Sequence, residues 1–408
     1  MPTEFPESSK ENAESHTSPL VSEPVGDGAN ESENPVLENQ IALCLSGGGF
    51  RATVYHLGTL IRLNEAGILR KIRRISSVSG GSITAARLGL KWNHLTWDDK
   101  GRATNLKTEV VNPVLKLASR NVDIPSITAG LLWFGTVSDY IVDAYKELFG
   151  DATLQDLPED GKGPRFVINA TNVQSAALWR FSRPYMGDYL TGLYRHPKVS
   201  LALAVTASSA FPPVLSPVQF APEGAVDPAT VVLKDERFRD KIFLTDGGSY
   251  DNLGLETAWK RCSVVLVSDG GLKWGYDPEP ATDWAQHMYR VLSLIDNQVR
   301  SLRLRQLFDA FDNPHDLHSG CYWGIGTLPS TYKNLQDPLP FTDEQAKEAA
   351  SIATRLSKLS EEEQHNLVNS GYVTCDASLR LRGSSGKTLD AFNHHGIHIE
   401  KPVGLPYP

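Results

Sequence analysis

Cysteine is scarce and scattered: Cys44, Cys262, Cys321 and Cys375 are the only four in 408 residues, with no C-x-x-C and no histidine at ligand spacing. That pattern excludes a disulfide framework or a zinc-finger type of site, and predicts four reduced thiols in the core. No apolar run approaches the ~20 residues a membrane-spanning helix needs, and no basic stretch followed by an apolar segment opens the chain as in a secretory signal. The expectation is a cytoplasmic protein, at most peripheral to a membrane. Positive charge is not in excess either. The net charge is −8, and residues 1 to 40 account for all of it with nine acids against Lys10. The remaining body is neutral and offers no electrostatic footprint for nucleic acid.

What is present is an ordinary globular composition, 40% hydrophobic and 22% charged, after a polar, acidic opening too poor in apolar side chains to offset ordering entropy. Three regions are expected: a disordered acidic tail over 1–38, a catalytic core over 39–280 and a mainly helical extension over 281–408. The core opens with the apolar run Ile41 to Leu45 ended by glycines, then Val54, Leu57, Ile61 and Ile68 near helical spacing. A second strand is read at Arg73–Val78, followed by a helix with Ile83, Ala86 and Leu90 on one face. Strand, turn, helix, twice over, predicts a parallel sheet covered by helices, with further strands at Phe166–Ala170, Lys241–Thr245 and Ser263–Val267. The apolar stretch Ile127–Phe134 reads equally as a membrane-touching lid or a core-facing helix. Beyond residue 280 the pattern is helical, with one helix from Asp283 to Phe308 and capping boxes at Thr342–Gln345 and Ser360–Glu363.

Chemistry concentrates in three places. Ser77-Val78-Ser79-Gly80-Gly81 joins a strand to a helix, a turn that lifts the Ser79 hydroxyl out of the sheet, while the helix amino end adds N–H donors. Ser46-Gly47-Gly48-Gly49-Phe50-Arg51 joins the preceding strand to its helix, and its glycines can present N–H groups with no side chain in the way, as an oxyanion hole requires. A hydroxyl needs a base. Asp246 in Asp246-Gly247-Gly248 follows a strand and is the candidate, with Asp269 in Asp269-Gly270-Gly271 a near twin. His394, His395 and His398 keep a Ser-His-Asp triad on another α/β fold in play, and a non-catalytic lipid- or phosphate-binding module is the third reading. His56 reads as a packed polar residue. The cluster Arg70-Lys71-Ile72-Arg73-Arg74 reads as a solvated face or as a contact for anionic headgroups near the site.

In this order the glycine loop ending in Arg51, the Ser79 elbow, the Ala207–Pro213 block and Asp246-Gly247-Gly248 resemble the patatin-like phospholipase family, over roughly residues 41 to 270. Ser77 stands where the family's elbow begins with glycine, and Ala52 where glycine often follows the arginine. The resemblance implies a three-layer α/β/α domain with a mostly parallel central sheet, and a lipid acyl hydrolase with Ser79 as nucleophile and Asp246 as base. It also favours Asp246 over Asp269, because only Asp246 is followed by Asp251-Asn252-Leu253-Gly254. Gly47, Gly48, Gly49 and Gly80 would form the oxyanion hole, with Arg51 in support. Such a scheme takes a lipid ester as substrate and requires no metal or cofactor. Oligomeric state leaves no mark on the sequence.

Overall fold

Ile41, Leu43 and Leu45 point to one side of the first strand and Ala42 and Cys44 to the other, and all five are fully buried. A strand that is apolar on both faces is stable only with helices packed on both sides. The computed structural model, which describes residues 37–122, 137–212, 215–271 and 276–408, meets that requirement. Strand β1 (Glu38–Leu45) has one face in the largest hydrophobic cluster, with α1 (Gly49–Glu65) and α2 (Gly80–Lys91), and the other in a second cluster with Leu253, Leu255 and Leu307. The tail expected over 1–38, except its last two residues, lies outside the described residues, as do Ile127–Phe134 and Pro213.

Among the described residues five strands run parallel at the centre. β2 (Ile72–Val78) pairs with β1 on one side and with β3 (Arg165–Asn172) on the other. Beyond β3 the sheet turns antiparallel through β4 (Ala177–Phe181), β5 (Tyr185–Asp188), β6 (Gly192–Arg195) and the short strand Val226–Asp227. On the far side of β1 lie β7 (Cys262–Asp269) and β8 (Ser319–Gly324), both parallel. Strand β8 corrects the reading of everything past residue 280 as helix: Ser-Gly-Cys-Tyr-Trp-Gly is too short to carry a periodicity, and pairing with β7 makes it a strand.

A second correction concerns β9 (Ile242–Asp246), expected to continue the parallel alternation. It pairs antiparallel to β3 through Ala170, Thr171 and Asn172. Among the described residues no long helix separates it from its partner, so the handed crossover that makes strands parallel is not seen here.

The late helices appear where their caps predict. α3 (Trp284–Asp312) starts after Asp283, whose carboxylate accepts the Gln286 N–H. Both capping boxes close, at the starts of α4 (Asp343–Ser351) and α5 (Glu361–Arg382). Helix α5 is part of the core. A Cβ on Gly371 would run into the Tyr55 carbonyl oxygen and one on Gly58 into that of Val368, so α1 and α5 cross at backbone contact. Arg62 and Asp376 form a fully buried ion pair at 2.8 Å across the same interface. Among the described residues no helix is long and apolar enough to cross a membrane. All four cysteines are buried, and none is in a disulfide.

Candidate active site

Strands β2 and β9 run toward each other along one edge of β3 and stop head to head. Val78, the last residue of β2, is level with Asn169, and Asp246, the last of β9, is level with the next residue, Ala170. Ser79 therefore emerges beside Asp246, with its hydroxyl near enough to the Asp246 carboxylate to lower its pKa. The two are 167 positions apart in the chain, and a single residue step of β3 separates their strand ends.

Ser79 has φ 51° and ψ −122°, in a region where L-residues are strained by about 1–3 kcal/mol. What holds it there is specific. Its N–H donates to Ser208 Oγ at 2.9 Å, and Ser208 Oγ donates to the Asn169 carbonyl at 2.6 Å. The Ser208 carbonyl accepts the Gly247 N–H, so one residue of the Ala207–Pro213 block touches both sides of the pair. Asn169 Nδ2 in turn donates to Ser76 Oγ and to the Ser77 carbonyl, both at 2.9 Å. Ser77, where the family has glycine, is buried with its hydroxyl accepting from Ser82 Oγ at 3.0 Å.

The Asp246 carboxylate is buried, and burial pushes it up to about 7. The Gly248 N–H at 2.6 Å and the Ser79 hydroxyl pull the other way, and Asp296 on α3 adds to the rise. No salt bridge to Asp246 exists among the described residues. Asp269 is built otherwise. Arg300 donates to its Oδ2 through Nε at 2.9 Å and through a second nitrogen, Tyr322 donates to the same oxygen at 2.8 Å, and Oδ1 accepts the Gly271 N–H at 3.0 Å. The twin aspartates thus have different surroundings: Asp269 anchors β7, β8 and α3, while Asp246 lies beside a hydroxyl with no cation near it among the described residues.

The glycine loop lies against the elbow with no room for side chains. A Cβ on Gly80 would run into the Gly49 carbonyl, and one on Gly47 would sit 3.1 Å from Ser79 Cβ. Gly48 and Gly49 take φ of 144° and 59°, which only glycine adopts freely. Among the described residues no hydrogen bond takes up the N–H of Gly48, Gly49 or Gly80. Gly47 differs from the expectation for it, since its N–H is already spent on the Asn252 carbonyl at 3.0 Å. Arg51 is buried, which excludes a surface salt bridge, and it donates to the carbonyls of Gly270 at 3.2 Å and Ile352 at 2.8 Å. Burial lowers its guanidinium to about 10. Gly48 packs on that same Gly270 carbonyl, so Arg51 braces the loop from behind.

Beneath the loop runs a buried polar chain the sequence did not announce. Trp323 Nε1 donates to Thr59 Oγ1, which bonds Ser268 Oγ, which bonds His56 Nδ1 at 2.8 Å; His56 Nε2 then donates to the Ser46 carbonyl at 2.9 Å. The carbonyl accepts only, so Nε2 carries the proton. Burial lowers His56 to about 4, hence it is neutral and structural.

The remaining candidates lie elsewhere. His395 bonds Asn39 at the start of β1, and its carbonyl accepts from Lys71, next to the start of β2. That is the amino edge of the parallel strands, while Ser79 is at the carboxyl edge. A triad through this histidine is excluded by a whole strand length. The cluster at Arg70–Arg74 shares the fate: Arg70, Lys71 and Arg73 line an amino-edge cleft with Asn39 and His395, away from the serine.

Comparison with known proteins adds the following. The family model described as patatin-like phospholipase matches residues 43–259. No curated protein sequence matches the chain. Among solved structures, human GIVD cytosolic phospholipase A2 is similar at 13% identity and a TM-score of 0.50, covering 90% of this chain and 64% of that one. The same human enzyme in complex with methyl gamma-linolenyl fluorophosphonate is similar at 15% identity and a TM-score of 0.51, covering 90% and 60%. At such identities the likeness is one of fold, and this chain spans less than two thirds of the human enzyme.

Proposed function

Because the chain belongs to the patatin-like phospholipase family, we propose that it is a lipid acyl hydrolase that cleaves carboxylic esters with Ser79 and Asp246. The observation that carries this reading is the head-to-head ending of β2 and β9, which leaves a hydroxyl beside a buried carboxylate that no cation among the described residues satisfies.

In this scheme Asp246 takes the Ser79 proton as Oγ attacks the ester carbonyl. The oxyanion that forms accepts hydrogen bonds from the N–H groups of Gly48, Gly49 and Gly80, backbone dipoles already in place and needing no reorganisation. Collapse breaks the carbon–oxygen bond to the alcohol, which leaves with the proton from Asp246. Water then gives a proton to the same carboxylate, attacks the acyl-enzyme, and the fatty acid departs as Ser79 recovers its proton. A carboxylate near 7 suits this double duty, since a base matched to neutral pH both accepts and returns the proton readily. The substrate reaches the site from a lipid layer, with the chain in peripheral contact.

The test is covalent. A fluorophosphonate should label Ser79 and no other serine, as read by mass spectrometry, and Ser79→Ala should lose both label and ester hydrolysis with an unchanged circular dichroism spectrum. Label on another residue, or hydrolysis that survives Ser79→Ala, would sink the proposal.

A further inference from the structure

Helix α3 departs from the rest of the surface. Of the twelve large hydrophobic side chains exposed among the described residues, seven belong to this one helix. Trp284, Met288, Val291, Leu292 and Ile295 recur at i, i+4, i+7, i+8 and i+11, which is one face of an α-helix about 17 Å long at 1.5 Å per residue. Trp284 is 81% exposed and Ile295 57%. A contiguous apolar face of this kind marks a contact surface.

Its place is beside the site. Further along the same helix Arg300 holds Asp269 and the Gly271 carbonyl, next to the glycine loop. The helix also packs on the Gly248–Asp251 turn that follows Asp246. The apolar face thus belongs to a helix that borders the carboxyl edge of the sheet, where Ser79 opens. Charge narrows the partner further. From Tyr276 to Leu302 the chain carries Asp277, Glu279, Asp283 and Asp296 against Arg290 and Arg300, and Arg300 is spent on Asp269. The basic cluster that would attract an anionic surface is on the opposite edge.

We propose that the amino-terminal half of α3 is the surface by which this chain lies on an electrically neutral lipid layer, with Trp284 at the headgroup level, Met288 seated below it and the Ser79 entrance turned onto the same layer. Amphipathic helices with an aromatic at one end settle in this way, apolar face down and polar face in water, with the aromatic at the headgroup level. The stretch lacks the basic polar face that adds attraction to anionic lipid, so burial of apolar surface alone provides the affinity. The surface gives the ester-hydrolase reading its partner and rests on that reading for its purpose.

Co-sedimentation of the full chain with phosphatidylcholine vesicles tests it. The wild-type chain should bind, equally at low and high salt, and Met288→Asp and Trp284→Ser should each weaken binding about tenfold or more while hydrolysis of a soluble short-chain ester is unchanged. Ser79→Ala should bind as the wild type does, so a failed ester assay would remove the enzymatic reading and leave the surface standing. Absence of binding to neutral vesicles overturns the proposal. So does binding confined to anionic vesicles and lost in salt, or a dimer in sedimentation equilibrium that Met288→Asp splits.

Discussion

Asp246 is the residue on which pH acts. Its buried carboxyl is raised to about 7, and the proposed base must be ionised, so kcat/KM for a soluble ester should rise about tenfold per pH unit up to that value and level off above it. A flat profile between pH 5 and about 8 would count against this aspartate as the base. Stability has the opposite sign. The folded carboxyl binds its proton more tightly than an unfolded aspartate near 3.9, so between those values the native state holds more protons and stability falls as pH rises. Asp246→Asn should therefore melt above the wild type at pH 8, with the gap narrowing toward pH 5 in thermal melts.

At the scale of elements, the site depends on two close approaches. The α5 segment Ser360–Gly371 carries both a cap and a crossing point, and Gly371→Ala would drive a methyl group into the Tyr55 carbonyl of α1. Overpacking of this kind costs about 1–3 kcal/mol, and denaturant unfolding should register it as a lower midpoint with an unchanged slope. The second approach is the joint at the end of α6 (Leu201–Ser208), where Ser208 supports the Ser79 N–H and the turn after Asp246. Ser208→Ala removes the acceptor that holds the strained elbow, and kcat should drop about 10- to 100-fold with little change in KM, since small misplacements of a nucleophile are felt in the chemical step. An equal loss in KM alone would assign Ser208 to substrate binding.

For the whole molecule, the sheet separates two sets of polar groups. Ser79, Asp246 and the glycine loop gather at the carboxyl edge, as ligand sites of open α/β sheets do. His395 and the basic cluster gather at the amino edge. His395→Ala should leave ester hydrolysis within about twofold of wild type, because His395 sits at Asn39 and Lys71, a strand length from the serine; a loss near that of Ser79→Ala would restore the triad.

Much of this was legible beforehand, because it is written in short-range pattern. Two apolar strands, each ended by glycines and followed by a helical repeat, define the parallel core; the capping boxes announce α4 and α5; the order of the glycine loop, serine elbow and aspartate marks the family. Composition and spacing carry such features since propensity, turn chemistry and apolar period act within a few residues. What tertiary structure decided is direction and neighbourhood. Whether Ile242–Asp246 runs parallel or antiparallel, whether Ser319–Gly324 joins the sheet, and which of two Asp-Gly-Gly turns meets the serine depend on pairing with strands far off in the chain. Local sequence is nearly the same at Asp246 and Asp269; Arg300 and Tyr322, which occupy one and not the other, arrive from elements up to 53 residues away. A carboxylate becomes an anchor or a candidate base according to what the fold brings beside it.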